Sequence, residues 1–224
     1  DSIIMRDGKK LAADIYLPNL NPSSQYSTIL IQTPYNRLFY RFGLPIGIGT
    51  DLSNSNFAFV ITDWRCFYGS SNACTTTPER GKDGYDIIEW ITQQSWSNGK
   101  VGTWGPSALG RIQFQTAKEN PPNLVCCVPL VSSPYYNYEE YYEGGVFRTE
   151  YVEQLDNLGF GLSNFILSHQ TRDFAWQYVE NQNNYPQAIK VPCLMIGGWY
   201  DHNTRELLHF YNSIRNNSDA NVKD

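Results

Sequence analysis

The sequence predicts an α/β protein built on a largely parallel sheet, and three observations carry that prediction. Short continuous apolar runs recur at 28–32, 57–62, 101–104, 124–131 and 191–196, with the length and composition of strands buried on both faces. Between them lie stretches with apolar residues at helical spacing, such as Ile87, Ile88, Trp90 and Ile91 within 83–93, and strands alternating with helices form parallel crossovers that cover a sheet. The third observation is the stretch 100–111, in which an apolar run enters a tight Gly105-Pro106-Ser107 corner and a helix-like segment, 108–119, leaves it.

In chain order, 2–17 reads as two strands joined at Arg6-Asp7-Gly8-Lys9, a turn of the Asp-Gly type that favours a tight hairpin. Ala13, Ile15 and Leu17 alternate with Asp14 and Tyr16, which marks a half-buried antiparallel edge. A polar loop, 20–27, leads to the first buried strand. The insert 134–189 separates a core of 1–133 from a second core segment of 190–224. It is rich in aromatics, with Tyr135, Tyr136, Tyr138, Tyr141, Tyr142, Phe147 and Tyr151 interleaved with Glu139, Glu140, Glu143 and Glu150. Helix-like stretches follow at 151–158 and 172–181, so the insert reads as a small helical cap. Its aromatics would make an apolar pocket for an acyl group, or simply pack on themselves with the glutamates in water.

The 224 residues suffice for one domain with a full core, or for one domain carrying an insert. A net charge of −5 with no basic stripe argues against a nucleic-acid partner. The longest apolar runs fall well short of a membrane span, and the compartment, cytoplasmic or exported, stays open. Five cysteines lack Cys-x-x-Cys spacing, so no zinc site is indicated. Cys66 and Cys74 flank a polar turn and would pair in an exported protein; the expectation is nevertheless five unpaired thiols.

The chemistry points to Ser107. A strand–corner–helix junction holds a serine hydroxyl above the end of a strand, requires small neighbours such as Gly105 and Gly110, and aims the first free N–H groups of the helix at the space above it. The usual pattern is Gly-x-Ser-x-Gly, whereas here the second glycine sits one place later. Other strand ends carry Tyr35-Asn36-Arg37, Asp63-Trp64-Arg65 and Trp199-Tyr200-Asp201. A carboxylate past a later strand is where a Ser, acid, His hydrolase places its acid, although Asp201 would equally cap a helix beginning near Asn203.

These residues carry a resemblance. Met5-Arg6-Asp7-Gly8, Leu11 to Tyr16, Pro34-Tyr35, Asp63-Trp64-Arg65, Gly105 to Gly110 and Gly198-Trp199-Tyr200-Asp201 occur in the order seen in one group. The chain resembles the cocaine-esterase-like branch of the α/β-hydrolases, which also contains the X-Pro dipeptidyl-peptidases and the α-amino-acid ester hydrolases. The resemblance implies an α/β-hydrolase fold, Ser107 as nucleophile, Asp201 as triad acid, and the Tyr35 hydroxyl with the Ala108 N–H as oxyanion hole. It implies a small ester, amide or short-peptide substrate, with an esterase preferred, and no metal or organic cofactor.

Two positions depart from the family pattern. Cys66 stands where glycine usually follows Asp-x-Arg. The triad histidine should follow Asp201 by a helix and a strand, so the expectation is a chain truncated before that strand, with the histidine beyond Asp224. His169, His202 and His209 are expected to be packed or solvated. The competing reading is an inactive binding or interaction protein on the same scaffold.

Overall fold

The computed structural model describes residues 1–19, 24–42, 52–219 and 222. Part of the expected polar loop, 20–23, and the last two residues lie outside them. Six strands form one sheet: β1 (Ser2–Ile4), β2 (Lys10–Tyr16), β3 (Tyr26–Thr33), β4 (Ala58–Asp63), β5 (Ser97–Pro106) and β6 (Leu124–Leu130), in the order β1-β2-β4-β3-β5-β6. Strands β4, β3, β5 and β6 run parallel, while β2 lies antiparallel on β4 and β1 antiparallel on β2. The Asp-Gly turn closes the β1–β2 hairpin with Gly8 at φ +78°, and the Asp7 carboxylate accepts the Lys9 N–H at 3.0 Å.

The run 191–196 departs from the expected regular strand. It lies parallel to β6 through two bridges, Cys127 to Cys193 and Leu130 to Ile196. Four hydrogen bonds hold it: Cys127 N–H to Pro192 O at 3.0 Å, Leu194 N–H to Cys127 O at 2.9 Å, Ile196 N–H to Pro129 O at 3.1 Å, and Val131 N–H to Ile196 O at 2.6 Å. Pro192 brings no N–H of its own, and Gly197-Gly198 ends the run, which keeps the ladder short.

Two helices begin the cover of the sheet, α1 (Arg80–Thr92) and α2 (Ala108–Lys118). Ile87, Ile88 and Ile91 of α1 and Phe114 of α2 are fully buried, as their helical spacing requires. Thr116 of α2 donates its hydroxyl to the buried Gln32 side chain at 3.0 Å, so one face of β3 turns to α2. Ile31, Phe59 and Ile61 pack with Tyr40, Leu52 and Leu109 in a separate cluster, against which Tyr35 and Trp104 also lie.

Residues 134–185 form a second compact unit. It contains α3 (Tyr138–Tyr141), a short hairpin of β7 (Tyr142–Glu143) and β8 (Val146–Phe147), α4 (Thr149–Asn157), α5 (Ser163–Ser168) and α6 (Phe174–Gln182). Tyr141, Tyr142, Val152, Ile166 and Trp176 are its core. Much of the aromatic cluster read from the sequence is therefore spent on internal packing, with Tyr138 stacked on Tyr142 at 4.9 Å between ring centres. Glu140 is buried and accepts the Tyr151 hydroxyl at 2.9 Å. An apolar pocket of about 170 Å³ within this unit is lined by Tyr136, Tyr141, Leu162, Phe165, Trp176 and Val179, among others. After it the chain returns to the first unit with α7 (Thr204–Asn217), whose Phe210 meets Phe114 edge to face at 5.1 Å.

The expectation of five unpaired thiols is corrected. Cys66 and Cys74 form a disulfide, because the tight 3₁₀ turn Tyr68–Ala73 folds the chain back and brings their Cα atoms to 4.2 Å. Cys126, Cys127 and Cys193 are free. Cys66 sits at φ +77°, a conformation that glycine enters without cost, so this cysteine keeps the bend for which glycine is suited.

Candidate active site

Strand β5 runs to Pro106 and α2 starts at Ala108, leaving Ser107 alone at the corner with φ +55° and ψ −121°. Left-handed backbone in a non-glycine residue is held only where its surroundings over-determine it, and such positions cluster at functional sites. Here the Ser107 N–H donates to Leu130 O at 3.0 Å, and its C=O accepts from the Gly110 and Arg111 N–H groups, both at 2.9 Å. The side chain is left exposed. The two glycines have separate jobs. A Cβ on Gly105 would stand 2.5 Å from Leu109 Cβ, and one on Gly110 would stand 2.6 Å from Ser132 Cβ. The glycine displaced by one place is explained by this packing, since Leu109 folds back over Gly105 and Gly110 is the residue that faces β6. Ala108 begins the helix, where N–H groups have no intrahelical acceptor.

Tyr35 follows the end of β3, the parallel neighbour of β5. Its N–H donates to Thr33 Oγ1 at 3.0 Å. Two residues on, Arg37 is tied to the fully buried Asp63 at the end of β4, through its N–H at 2.7 Å and its Nη1 at 2.6 Å. Tyr35 is thus pinned on both sides, and half-buried beside Tyr40, whose phenol burial pushes up to about 12. Asp63 and Arg65 serve the fold. Arg65 is buried, bonds Asp83 at 2.5 and 2.9 Å and Asp7 at 2.6 Å, and these partners hold its guanidinium firmly charged.

Asp201 lies in the turn between the 191–196 run and α7. Its N–H donates to Gly198 O at 3.0 Å, and its Oδ1 accepts the Asn203 N–H at 2.8 Å. Ser107, Tyr35 and Asp201 therefore each follow the carboxyl end of a parallel segment, on β5, β3 and the run beside β6. In open α/β sheets that edge is where ligands bind.

The histidines fall in three different settings. His202 does not point away from its neighbour as expected. The turn brings its Nδ1 to 3.8 Å from Asp201 Oδ1, beyond hydrogen-bond range, while its Nε2 lies 3.1 Å from Asn203 Nδ2. A triad histidine needs Nδ1 on the acid and Nε2 towards the serine, and His202 offers neither. His209 is exposed on α7. His169, in the second unit, has Nδ1 2.7 Å from Asp173 Oδ2, and that contact, with lesser help from the Ala175 and Trp176 N–H groups, holds the Asp173 carboxyl below its usual range. Among the described residues no histidine is hydrogen-bonded to Ser107.

Two supporting residues escape sequence reasoning. Gln113, one turn into α2 and fully buried, donates Nε2 to Gly105 O at 3.2 Å and Leu109 O at 3.0 Å, while its Oε1 accepts the Val128 N–H at 3.0 Å. It braces the corner against β6. Asn203, also buried, reaches Val131 O with Nδ2 at 3.3 Å. The only sequence signal for either is a polar residue at an apolar-facing helical position in the case of Gln113.

Comparison with known proteins agrees with this architecture. Cocaine esterase of Rhodococcus sp. (strain MB1 Bresler) is 23% identical over 97% of this chain and 46% of its own length. A CocE/NonD family hydrolase from Staphylococcus aureus superposes with a TM-score of 0.72 at 22% identity, over 95% of this chain and 43% of its own. An α-amino acid ester hydrolase superposes with a TM-score of 0.68 at 18% identity, over 96% and 45%. The chain thus spans about half the length of the relatives it matches. Among the described residues no helix is long and apolar enough to cross a membrane. The X-Pro dipeptidyl-peptidase (S15) family model matches residues 7–164 and 150–223, and the chain, on its α/β-hydrolase fold, belongs to that family.

Proposed function

We propose that this chain carries the nucleophile and acid of a serine hydrolase that cleaves a small ester or amide through an acyl-enzyme. The observation that carries the reading is the exposed Ser107 held at φ +55° between β5 and α2. Ser107 Oγ attacks the carbonyl carbon as its proton passes to a base, and the carbonyl π pair becomes an oxyanion. The Tyr35 hydroxyl and the Ala108 N–H donate to that oxyanion, and loss of one such donor typically costs about 10²- to 10³-fold in rate. Collapse expels the alcohol or amine, which leaves with the proton, and water then releases the acid by the same steps in reverse. Asp201 orients the base, a histidine other than His169, His202 and His209.

The test is labelling of the full-length natural protein with a fluorophosphonate, followed by peptide mass spectrometry. Label on Ser107, absent in Ser107→Ala, is the expected result, because the probe needs an activated serine. A folded protein that takes no label would overturn the hydrolase reading. An inactive binding protein, which the lack of a histidine hydrogen-bonded to Ser107 among the described residues would favour, would then replace it.

A further inference from the structure

Besides Ser107, the residue of most unexpected backbone at this end of the sheet is Val131, at φ +43° immediately after β6. A β-branched side chain in the left-handed region is a genuine outlier, and an outlier of this kind is maintained by what its peptide groups must reach. On the elbow side, Leu130 O accepts the Ser107 N–H at 3.0 Å. On the other side, the Val131 N–H donates to Ile196 O at 2.6 Å, and Val131 O accepts from Asn203 Nδ2 at 3.3 Å. Asn203 in turn donates its own N–H to Asp201 Oδ1 at 2.8 Å. Two residues, Leu130 and Val131, therefore touch the corner that carries Ser107 and the turn that carries Asp201.

Asn203 is the link in that chain whose side chain has an obvious other use. It stands at the N-terminal boundary of α7, and asparagine is among the best capping residues there. Yet its side chain makes no cap hydrogen bond. The turn is closed by Thr204 instead, whose hydroxyl donates to Gly198 O and, at 2.8 Å, to Asp201 O. The Asn203 amide faces inward: one contact goes to the strained Val131 carbonyl, and the other holds the His202 ring through Nε2. Asn203 is 9% exposed and Val131 is half-buried, so losing this bond would take a partner from a carbonyl only partly open to water.

We infer that Asn203 is a positioning residue of the hydrolytic site, which registers the Asp201 carboxylate against the Ser107 elbow through the Val131 carbonyl. The inference rests on the reading of Asp201 as the triad acid. The backbone N–H that meets Asp201 survives any substitution of Asn203 except proline, but without Nδ2 the turn loses its side-chain tie to Val131, and the carboxylate wanders. A misplacement of about 1 Å at a reacting constellation costs on the order of 10²-fold in rate. Substrate binding does not pass through this contact, so the loss falls on kcat and spares KM.

The experiment is a double-mutant cycle between Asn203→Ala and Asp201→Asn in the full-length natural protein, with steady-state turnover of a chromogenic ester and Ser107→Ala as the blank. The expected result is a kcat lower by about 10- to 100-fold in Asn203→Ala with KM within about threefold, and no further loss when Asn203→Ala is added to Asp201→Asn. An equal loss in both backgrounds would mean that Asn203 acts independently of Asp201, and no loss in either would mean that it does not act at all; both overturn the inference. If Asp201→Asn keeps full turnover while Ser107→Ala abolishes it, the acid assignment itself falls and this inference with it, a pattern distinct from the first two. Asn203→Ser guards against a variant that does not fold. It keeps a good helix-boundary residue but ends an atom short of Nδ2, and it is expected to repeat the Asn203→Ala result; wild-type turnover in a folded Asn203→Ser would equally overturn the inference.

Discussion

Replacing glycines one at a time by alanine separates the two penalties that shape the elbow. Gly198 has nothing within 4 Å of an added Cβ, and Gly8 has open space but φ +78°. Gly110 meets Ser132 Cβ at 2.6 Å and the Gly105 and Leu130 carbonyl oxygens at 3.1 Å, and Gly105 combines φ +148° with Leu109 Cβ at 2.5 Å. Left-handed backbone costs an L-residue about 1–2 kcal/mol, partly offset by the lower entropy of the unfolded alanine chain. Overpacking adds about 1–3 kcal/mol where the neighbours cannot yield, and a Cβ fixed to a helix backbone, like a strand carbonyl, cannot swing away. The expected losses are within about 0.5 kcal/mol for Gly198→Ala, about 1 for Gly8→Ala, about 1–3 for Gly110→Ala, and about 2–5 for Gly105→Ala. At about 2–4 °C per kcal/mol for a chain of this size, Gly105→Ala should lower Tm by on the order of 10 °C. Thermal unfolding followed by circular dichroism measures all four. A Gly105→Ala protein that melts with Gly8→Ala would refute the claim that the corner is closed by Leu109.

Ser107→Ala should abolish ester turnover and leave Tm nearly unchanged, since the side chain is exposed; retained turnover would remove Ser107 from the mechanism. Tyr35→Phe should lower kcat by about 10²- to 10³-fold with little change in KM, and an unchanged kcat would reduce Tyr35 to packing beside Tyr40. Acid should destabilise the fold through Asp7 and Asp173, whose carboxyls are held low chiefly by hydrogen bonds from Arg65 and His169. A folded-state pKa below the unfolded value gives stability that is complete above the unfolded value, about 3.9, and fades as pH falls through the folded one. Tm should therefore drop below about pH 4, less steeply in Asp7→Asn than in wild type. Reduction of the Cys66–Cys74 disulfide, whose cysteines are eight residues apart, should cost about 2–3 kcal/mol for a ring of that length. The Cys66→Ala/Cys74→Ala double variant should melt at the reduced protein's temperature and be indifferent to reductant.

What the sequence made legible is what depends on local pattern. The apolar runs locate the parallel strands of the described residues, because β3 and β4 are buried along most of their length, and β3 extends the run 28–32 by only two residues at one end and one at the other. The elbow is legible through Gly105, which answers to its own backbone angle and to Leu109 four residues on, whereas Gly110 answers to Ser132 and Leu130. Gln113 and Asn203 are not, since Gln113 is defined by backbone groups of Gly105, Leu109 and Val128 and Asn203 by the Val131 carbonyl, and an amide in a helix or at its start reads as solvated or capping. The Cys66–Cys74 pair is hidden for a similar reason: the 3₁₀ turn after Cys66 is what makes Cys74 its neighbour. An extended or helical backbone would turn His202 from Asp201, whereas the chain curls there in a turn closed by Gly198 O.

The ladder between β6 and 191–196 can be read amide by amide in solution. In a parallel pairing alternate N–H groups of a strand point to its neighbour, so the Leu194 and Ile196 N–H groups are bonded to Cys127 and Pro129, while those of Cys193 and Met195 face outward. Hydrogen exchange should then show alternating protection along four residues, slow at 194 and 196 and fast at 193 and 195. Slow exchange at all four would report a further strand paired on the outer side, and fast exchange at all four a run detached from the sheet. The segment that leads to Asp201 thus carries its own gauge of whether that turn's support is docked, single-sided or enclosed.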